Sequence, residues 1–190
     1  AVGSMAQAAA ACGATLIHIS TNHVFQGWKA CGCGIDDIID PLNEYGKSKL
    51  LGEKQLLENT DRYYLVRVQW LFGKPGSGKK CFPLWLIEYA RNQKVFNGLI
   101  NEFGQPTYVD ELVEQCLKLV EEGRPFGTYH IASEYMANAY DYAEAVIRSA
   151  KLPIRLERAE TIPTDGRRIR ARRLQYGHFK HGEFLTLSPW

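Results

Sequence analysis

The sequence predicts an α/β fold built on a parallel sheet. Three observations carry that prediction: a β-like apolar run at residues 14–20, a second at 63–72, and between them a helix-like run long enough to cross from one strand to the next. Strand, helix, strand in that order is the βαβ unit, which closes with a right-handed crossover. The first strand reads as a nearly continuous apolar run, the pattern of a short parallel strand buried within a sheet.

The elements follow in chain order. The Ala-rich stretch at residues 6–11 has no basic segment before it and runs straight into a strand, so it reads as the end of a helix and not as a signal peptide. Gly13 ends that helix, and the strand at 14–20 begins. The loop at 26–40 carries Gly and Asp and is long enough to sit over a site. Asp40 as N-cap and Pro41 at the first helical position then start a helix expected to reach about Asn59. Gly46 and Gly52 lie inside it, each costing about 1 kcal/mol against Ala. Close approach of a backbone or ligand beside Tyr45 explains them, and so does tight helix packing; both readings stand. After the strand at 63–72, residues 83–92 predict a helix with Leu84, Trp85, Ile87 and Ala90 turned inward. Thr107 through Asp110 resembles a capping box, and the helix to Glu122 shows Val109, Leu112, Val113, Cys116 and Val120 at helical spacing, with Gly123 as its C-cap. A strand at 127–133 and a helix at 140–150 complete the pattern. His130, alone in a β-run, reads as a structural residue.

Composition bounds the function. At 190 residues the chain holds one good core, or one domain and part of another. A formal net charge of +2 is too small to imply nucleic acid, and no apolar run approaches the 18 or so residues that span a bilayer. Five cysteines make an odd count with no disulfide framework, which points to a reducing cytoplasm. Cys31 and Cys33 lie near His23 in sequence, but their spacing matches no zinc pattern, so they read as incidental loop thiols.

The chemistry concentrates between Ser20 and Lys49. Tyr45 and Lys49 are four residues apart, so a helix stacks a phenol and an ammonium on one face. A positive charge beside a phenol favours the phenolate, which equips the pair to give a proton to a carbonyl oxygen and take it back. Thr21, at the end of the preceding strand, is placed to hydrogen-bond the same oxygen. Thr followed by a distant Tyr-x-x-x-Lys resembles the catalytic pattern of the extended short-chain dehydrogenases/reductases. The run from Ile17 to Gly27 and the run from Pro41 to Glu53 are similar to those of the dTDP-4-dehydrorhamnose reductase family. Arg67 to Trp70 resembles that family's Arg-x-x-Trp, and Asn101 to Thr107 its DQxGxPT-like loop.

The resemblance implies a partial Rossmann-like sheet in residues 1–100, interleaved with a small C-terminal substrate-binding lobe in residues 101–190. It implies NADPH or NADH as cofactor and a deoxythymidine-diphosphate 4-keto-6-deoxy sugar as substrate. Thr21, Tyr45 and Lys49 would be catalytic, with Tyr45 and Lys49 also on the cofactor. Asn22, His23, Trp70, Gln105 and Arg168 would contact the substrate. The family's Gly-rich cofactor turn, G-x-x-G-x-x-G, does not occur in this sequence. The expectation is therefore the last two thirds of a family member, weak or inactive in isolation. Its first strand would leave an open edge, so that the chain forms a homo-oligomer, aggregates, or takes a missing segment in trans. Asn22-His23 stands where the family has Asp-Tyr, and Arg168-Ile169 where it has Arg-Pro.

Three rival readings remain open at this level. The regulatory subunit of methionine adenosyltransferase resembles the same reductases, so a non-catalytic binding subunit fits the altered Asn22-His23 pair. Gly73 to Lys80 nearly spells the phosphate loop G-x-x-x-x-G-K-[ST], but Lys80 has no hydroxyl for Mg²⁺ and Pro75 no amide hydrogen. The Arg-rich tail, from Arg155 to Arg173, suits the diphosphate of a nucleotide sugar, nucleic acid, or bare solvent.

Overall fold

The structure, a computed structural model, describes residues 1–74, 81–161 and 171–190. Helix α1 (Val2–Ala11) leads into β1 (Leu16–Thr21), a short 3₁₀ turn (Asn22–Val24), α2 (Glu44–Leu57) and β2 (Tyr63–Val68). β1 and β2 pair in parallel from Leu16 opposite Tyr63 to Thr21 opposite Val68, so the expected βαβ unit is present. Next come β3 (Leu71–Phe72), α3 (Phe82–Asn92), β4 (Val95–Leu99), β5 (Phe103–Gly104), β6 (Thr107–Tyr108), α4 (Val109–Glu121), β7 (Gly127–Ser133), β8 (Ala137–Asn138), α5 (Ala139–Ser149), β9 (Arg155–Ala159) and β10 (Leu185–Leu187).

The main sheet has the order β1-β2-β7-β10 and is parallel throughout. It draws strands from both halves of the chain. Alternation along β2 splits the core between its faces. Tyr64, Val66 and Val68 pack with Leu112, Cys116 and Leu119 of α4, while Leu65 packs with Ala6 of α1 and Leu56 of α2. Among the described residues β1 has a neighbour on one side only, and Ile19 is exposed there, so the first strand is an edge and not a buried interior strand.

Several elements depart from the sequence expectation for identifiable reasons. Helix α2 starts at Glu44, not Pro41, because Asn43 takes the cap: its side chain accepts the Gly46 N–H. The strand expected over 63–72 breaks after Val68. Trp70 adopts φ +40°, a left-handed conformation rare for a bulky residue, and the chain then joins a different sheet as β3, parallel to β6. Such a conformation costs on the order of 1–3 kcal/mol and persists only where the surroundings enforce it. Here they do: a Cβ on Gly104 would lie 2.5 Å from the Trp70 indole, which stacks on Tyr142.

The capping box at residues 107–110 does not form; Tyr108 is the N-cap of α4 and makes no side-chain cap hydrogen bond. In α4, Val113 and Val120 face outward, and Leu119 takes the buried place. In α3, Leu86 and Ala90 are the buried pair, while Trp85 stays partly exposed. The two helical glycines answer different needs. A Cβ at Gly46 would sit 2.2 Å from the His23 backbone oxygen, whereas one at Gly52 would meet side chains alone, Val2 at 3.2 Å and the His18 ring at 3.5 Å. Both readings of these glycines therefore hold, one at each position.

Candidate functional site

The site forms where β1 and β2 end, the place at which open parallel sheets bind ligands. Thr21 closes β1, and the 3₁₀ turn that follows carries Asn22 and His23. Gly46 lets α2 press against that turn, which brings Tyr45 beside His23 with ring centroids 5.5 Å apart, edge to face. Thr21, Asn22, His23, Tyr45, Trp70 and Arg173 share the lining of a cleft of about 460 Å³. The sequence-predicted threonine and tyrosine thus face one space.

Lys49 follows Tyr45 one turn along α2 and donates from Nζ to the Ile19 carbonyl at 2.6 Å. Burial holds its ammonium below the ordinary lysine range, and the neighbouring Glu53 carboxylate opposes that. Lys49 is anchored on the strand that delivers Thr21 and is not among the residues lining the cleft.

The Thr21 hydroxyl donates to Asn22 Oδ1 at 3.2 Å and accepts the His23 amide N–H at the same distance. Asn22 is buried, and its Nδ2 donates to the Gly177 carbonyl at 2.8 Å. That explains an amide here: a carboxylate would set two acceptors against each other at the contact that ties the C-terminal segment to β1.

A second cavity of about 360 Å³ opens beside the first and shares Asn22, His23, Trp70, Leu71 and Arg173 with it. Its walls are mostly apolar and rich in aromatic rings, with Phe82 and Trp85 from α3, Phe96 from β4, and Tyr142 from α5. Apolar walls with a few polar groups at the mouth are typical of small-molecule pockets. Trp85 is partly exposed because it lines this cavity.

The remaining sequence-predicted residues fare differently. Gln105 is buried and committed to the protein: Nε2 donates to the Ser133 carbonyl at 2.9 Å, and Oε1 accepts from Gln69 Nε2 and the Phe179 amide, each at 2.8 Å. It is absent from the lining of either cavity and braces the loop behind them. Arg168 and most of the phosphate-loop-like run, residues 75–80, lie outside the described residues. His130 is buried, stacked on Phe179 with centroids 4.1 Å apart, and pushed down to about 3 by burial and then by Arg67, as suits a structural histidine. Cys31 and Cys33 are free thiols.

Arg173 lines both cavities, yet in the sequence it is one arginine among seven in a basic tail, with no spacing to single it out. The aromatic wall is missed for the same reason, since its members come from three separate elements. Trp85 was legible only as an inward-facing residue of its helix, with nothing to mark it as the wall of a cavity.

The comparisons with known proteins agree with this geometry. Residues 1–189 match the family described as the RmlD substrate binding domain. The dTDP-4-dehydrorhamnose reductase of Aggregatibacter actinomycetemcomitans is 31% identical over 77% of this chain and 50% of its own length. That of Escherichia coli K12 is 31% identical over 100% of this chain and 66% of its own. Among solved structures, dTDP-4-dehydrorhamnose reductase from Bacillus anthracis in complex with NADP superposes with a TM-score of 0.87 at 28% identity, covering 100% of this chain and 66% of that one. The chain thus spans about half to two thirds of the length of these relatives. With a matching parallel sheet and a family match along almost its whole length, the chain belongs to the RmlD substrate binding domain family, among the dTDP-4-dehydrorhamnose reductase-like proteins.

Proposed function

We propose that this chain supplies the proton donor and the sugar pocket of an NADPH- or NADH-dependent reductase. Its substrate would be the C4 carbonyl of a deoxythymidine-diphosphate 4-keto-6-deoxy sugar. The observation that carries the reading is the shared cleft: Thr21 and Tyr45 face one space at the carboxyl ends of β1 and β2, and that space opens onto an aromatic cavity. The names of the relatives supply the substrate class.

The residues present fit the nicotinamide end of the cofactor, since a half-exposed phenol lines a cleft at the strand ends and an ammonium one turn behind it, outside the lining, is anchored on β1. They offer no Gly-rich turn for the diphosphate. When bound, the nicotinamide supplies a hydride. Tyr45 gives its hydroxyl proton to the carbonyl oxygen as negative charge grows there, and the Thr21 hydroxyl turns its one proton from Asn22 Oδ1 to the same oxygen and holds it in line. Lys49, fixed by the Ile19 carbonyl, offsets the negative charge left on Tyr45. Trp70, held in a strained conformation between the cavities, and Asn22 shape the junction through which the sugar reaches Tyr45. Arg173 meets the diphosphate of the nucleotide sugar. Five free thiols fit a reducing compartment such as the cytoplasm, and no helix among the described residues is long and apolar enough to cross a membrane.

The test is consumption of NADPH by the whole protein when the keto sugar is added, beside calorimetric titration of each ligand. Turnover that depends on the keto sugar supports the reading. Tight binding of NADPH with no oxidation would replace it with a non-catalytic subunit like that of methionine adenosyltransferase, the role for which the Asn22-His23 pair leaves room.

A further inference from the structure

His23 lies where the two cavities meet, and helix capping determines its hydrogen-bonding state. Asn43 caps α2, with Oδ1 accepting the Gly46 N–H at 2.9 Å. An amide has one oxygen, so the cap fixes which way this side chain is turned and leaves Nδ2, a donor only, on its other side. That Nδ2 donates to the Arg172 carbonyl at 2.8 Å and lies 3.2 Å from His23 Nδ1. Two N–H groups cannot face each other across that distance, so Nδ1 must accept, and the proton of the neutral ring must sit on Nε2. We infer that His23 determines substrate specificity as a neutral imidazole, locked in the Nε2–H form by the helix cap. It offers one N–H donor to an oxygen of the sugar bound beside Tyr45.

The groups packed around the ring favour this form. Arg173, from the C-terminal segment, opposes a positive charge on it; Tyr45 and Asn43, at the start of α2, present a ring edge-to-face contact and an N–H donor. Burial first, and Arg173 second, push His23 down to about 4. A proton relay beside Tyr45 would need Nδ1 to take up a proton, and Asn43 occupies that lone pair. A phenol at this place could donate or accept, whereas the locked ring only donates, so it selects an acceptor oxygen. The inference rests on the nucleotide-sugar reading for the identity of that oxygen, and not for the state of the ring.

Two-bond ¹H–¹⁵N spectroscopy of the histidine rings tests it, with His23→Gln assigning the signal. The expected ring carries a protonated Nε2 and a bare Nδ1 at neutral pH, and keeps both to about pH 5, where a free imidazole is mostly cationic. Asn43→Asp retains the cap but turns an acceptor toward the ring, and is expected to move the proton to Nδ1 or to charge the ring. A parent ring protonated on Nδ1, or an unchanged ring in a folded Asn43→Asp variant, overturns the inference. The parent spectrum decides even if that variant fails to fold. Titrating dTDP-glucose as a probe reads the second half: the His23 Nε2–H resonance shifts, and His23→Phe weakens binding about fivefold, the loss of one neutral hydrogen bond. Shifts at Thr21 and Tyr45 without one at Nε2 overturn the donor role. No shift anywhere removes the sugar as the acceptor, and the proposed function with it, while the state of the ring stands on its own spectrum.

Discussion

Glu53→Gln removes one charge from a buried pair on which the placement of the site depends. Glu53 Oε2 accepts from Arg67 Nη2 at 2.9 Å and Oε1 from Arg67 Nε at 3.2 Å, with side chains 2% and 4% exposed. Ser20, next to Thr21, donates to the same carboxylate. The network joins α2, one turn past Lys49, to the ends of β1 and β2. In the variant one amide oxygen serves Ser20 while the amide nitrogen faces Arg67, leaving a guanidinium buried opposite a donor. Breaking such a pair costs about 3–5 kcal/mol, a large share of the 5–15 kcal/mol by which domains are stable. At roughly 2–4 °C per kcal/mol for a domain of this size, the midpoint of thermal unfolding falls by about 10 °C. Urea unfolding of the parent, Glu53→Gln, and the double variant Glu53→Leu/Arg67→Met measures it. The double variant is expected to regain most of the loss, because two apolar side chains leave no charge unpaired. A single variant within about 0.5 kcal/mol of the parent, or a double variant no better than the single, refutes the argument.

Other expectations follow from the same contacts. Gly46→Ala destabilises despite Ala's better helix propensity, because its Cβ would meet a backbone oxygen at 2.2 Å, whereas Gly52→Ala, against a movable Val2 side chain, costs less; chemical denaturation ranks the two. His130 is held neutral, pushed down to about 3 from its ordinary 6.5, so the unfolded chain binds more protons between those values and stability falls as pH drops below 6.5. His130 contributes about 1.4 kcal/mol per pH unit to that slope near pH 5, beside the contribution of His23, and His130→Leu reduces the slope in unfolding curves taken from pH 7 to 4. The open edge of β1 favours association, so light scattering at tens of micromolar shows dimers or larger species, and Ile19→Lys, at an exposed edge position, reduces them.

The βαβ unit was legible because its signals are local: apolar runs, a Gly break and a helical interval. Thr21 was legible because it sits at the end of the first run, and Tyr45 because Lys49 follows it four residues on, one helical turn along the same face. The start of α2 was misplaced by three residues since Asp40-Pro41 and Asn43 are both good caps, and only the backbone that packs at Gly46 decides between them. Trp70 could be seen in the sequence, but not the bend at it that carries the chain into a second sheet, because that bend is enforced by Gly104 and Tyr142, distant in sequence. Gln105 was read as a substrate contact from the resemblance of its loop to the family's, which carries no mark of where this side chain points; the Ser133 carbonyl and the Phe179 amide hold it within the protein. Arg173 acquires its place through the Asn22 to Gly177 tie, which no spacing in the sequence announces.

The central claim is that the Tyr45 hydroxyl delivers the proton in a cleft it shares with Thr21. Its most direct test is the turnover number of the whole protein with the keto sugar, comparing the parent with Tyr45→Phe, a change that deletes one oxygen and keeps the ring against His23. A drop of about 10²- to 10⁴-fold with substrate binding little changed is the predicted result. Turnover equal to the parent's would contradict the account.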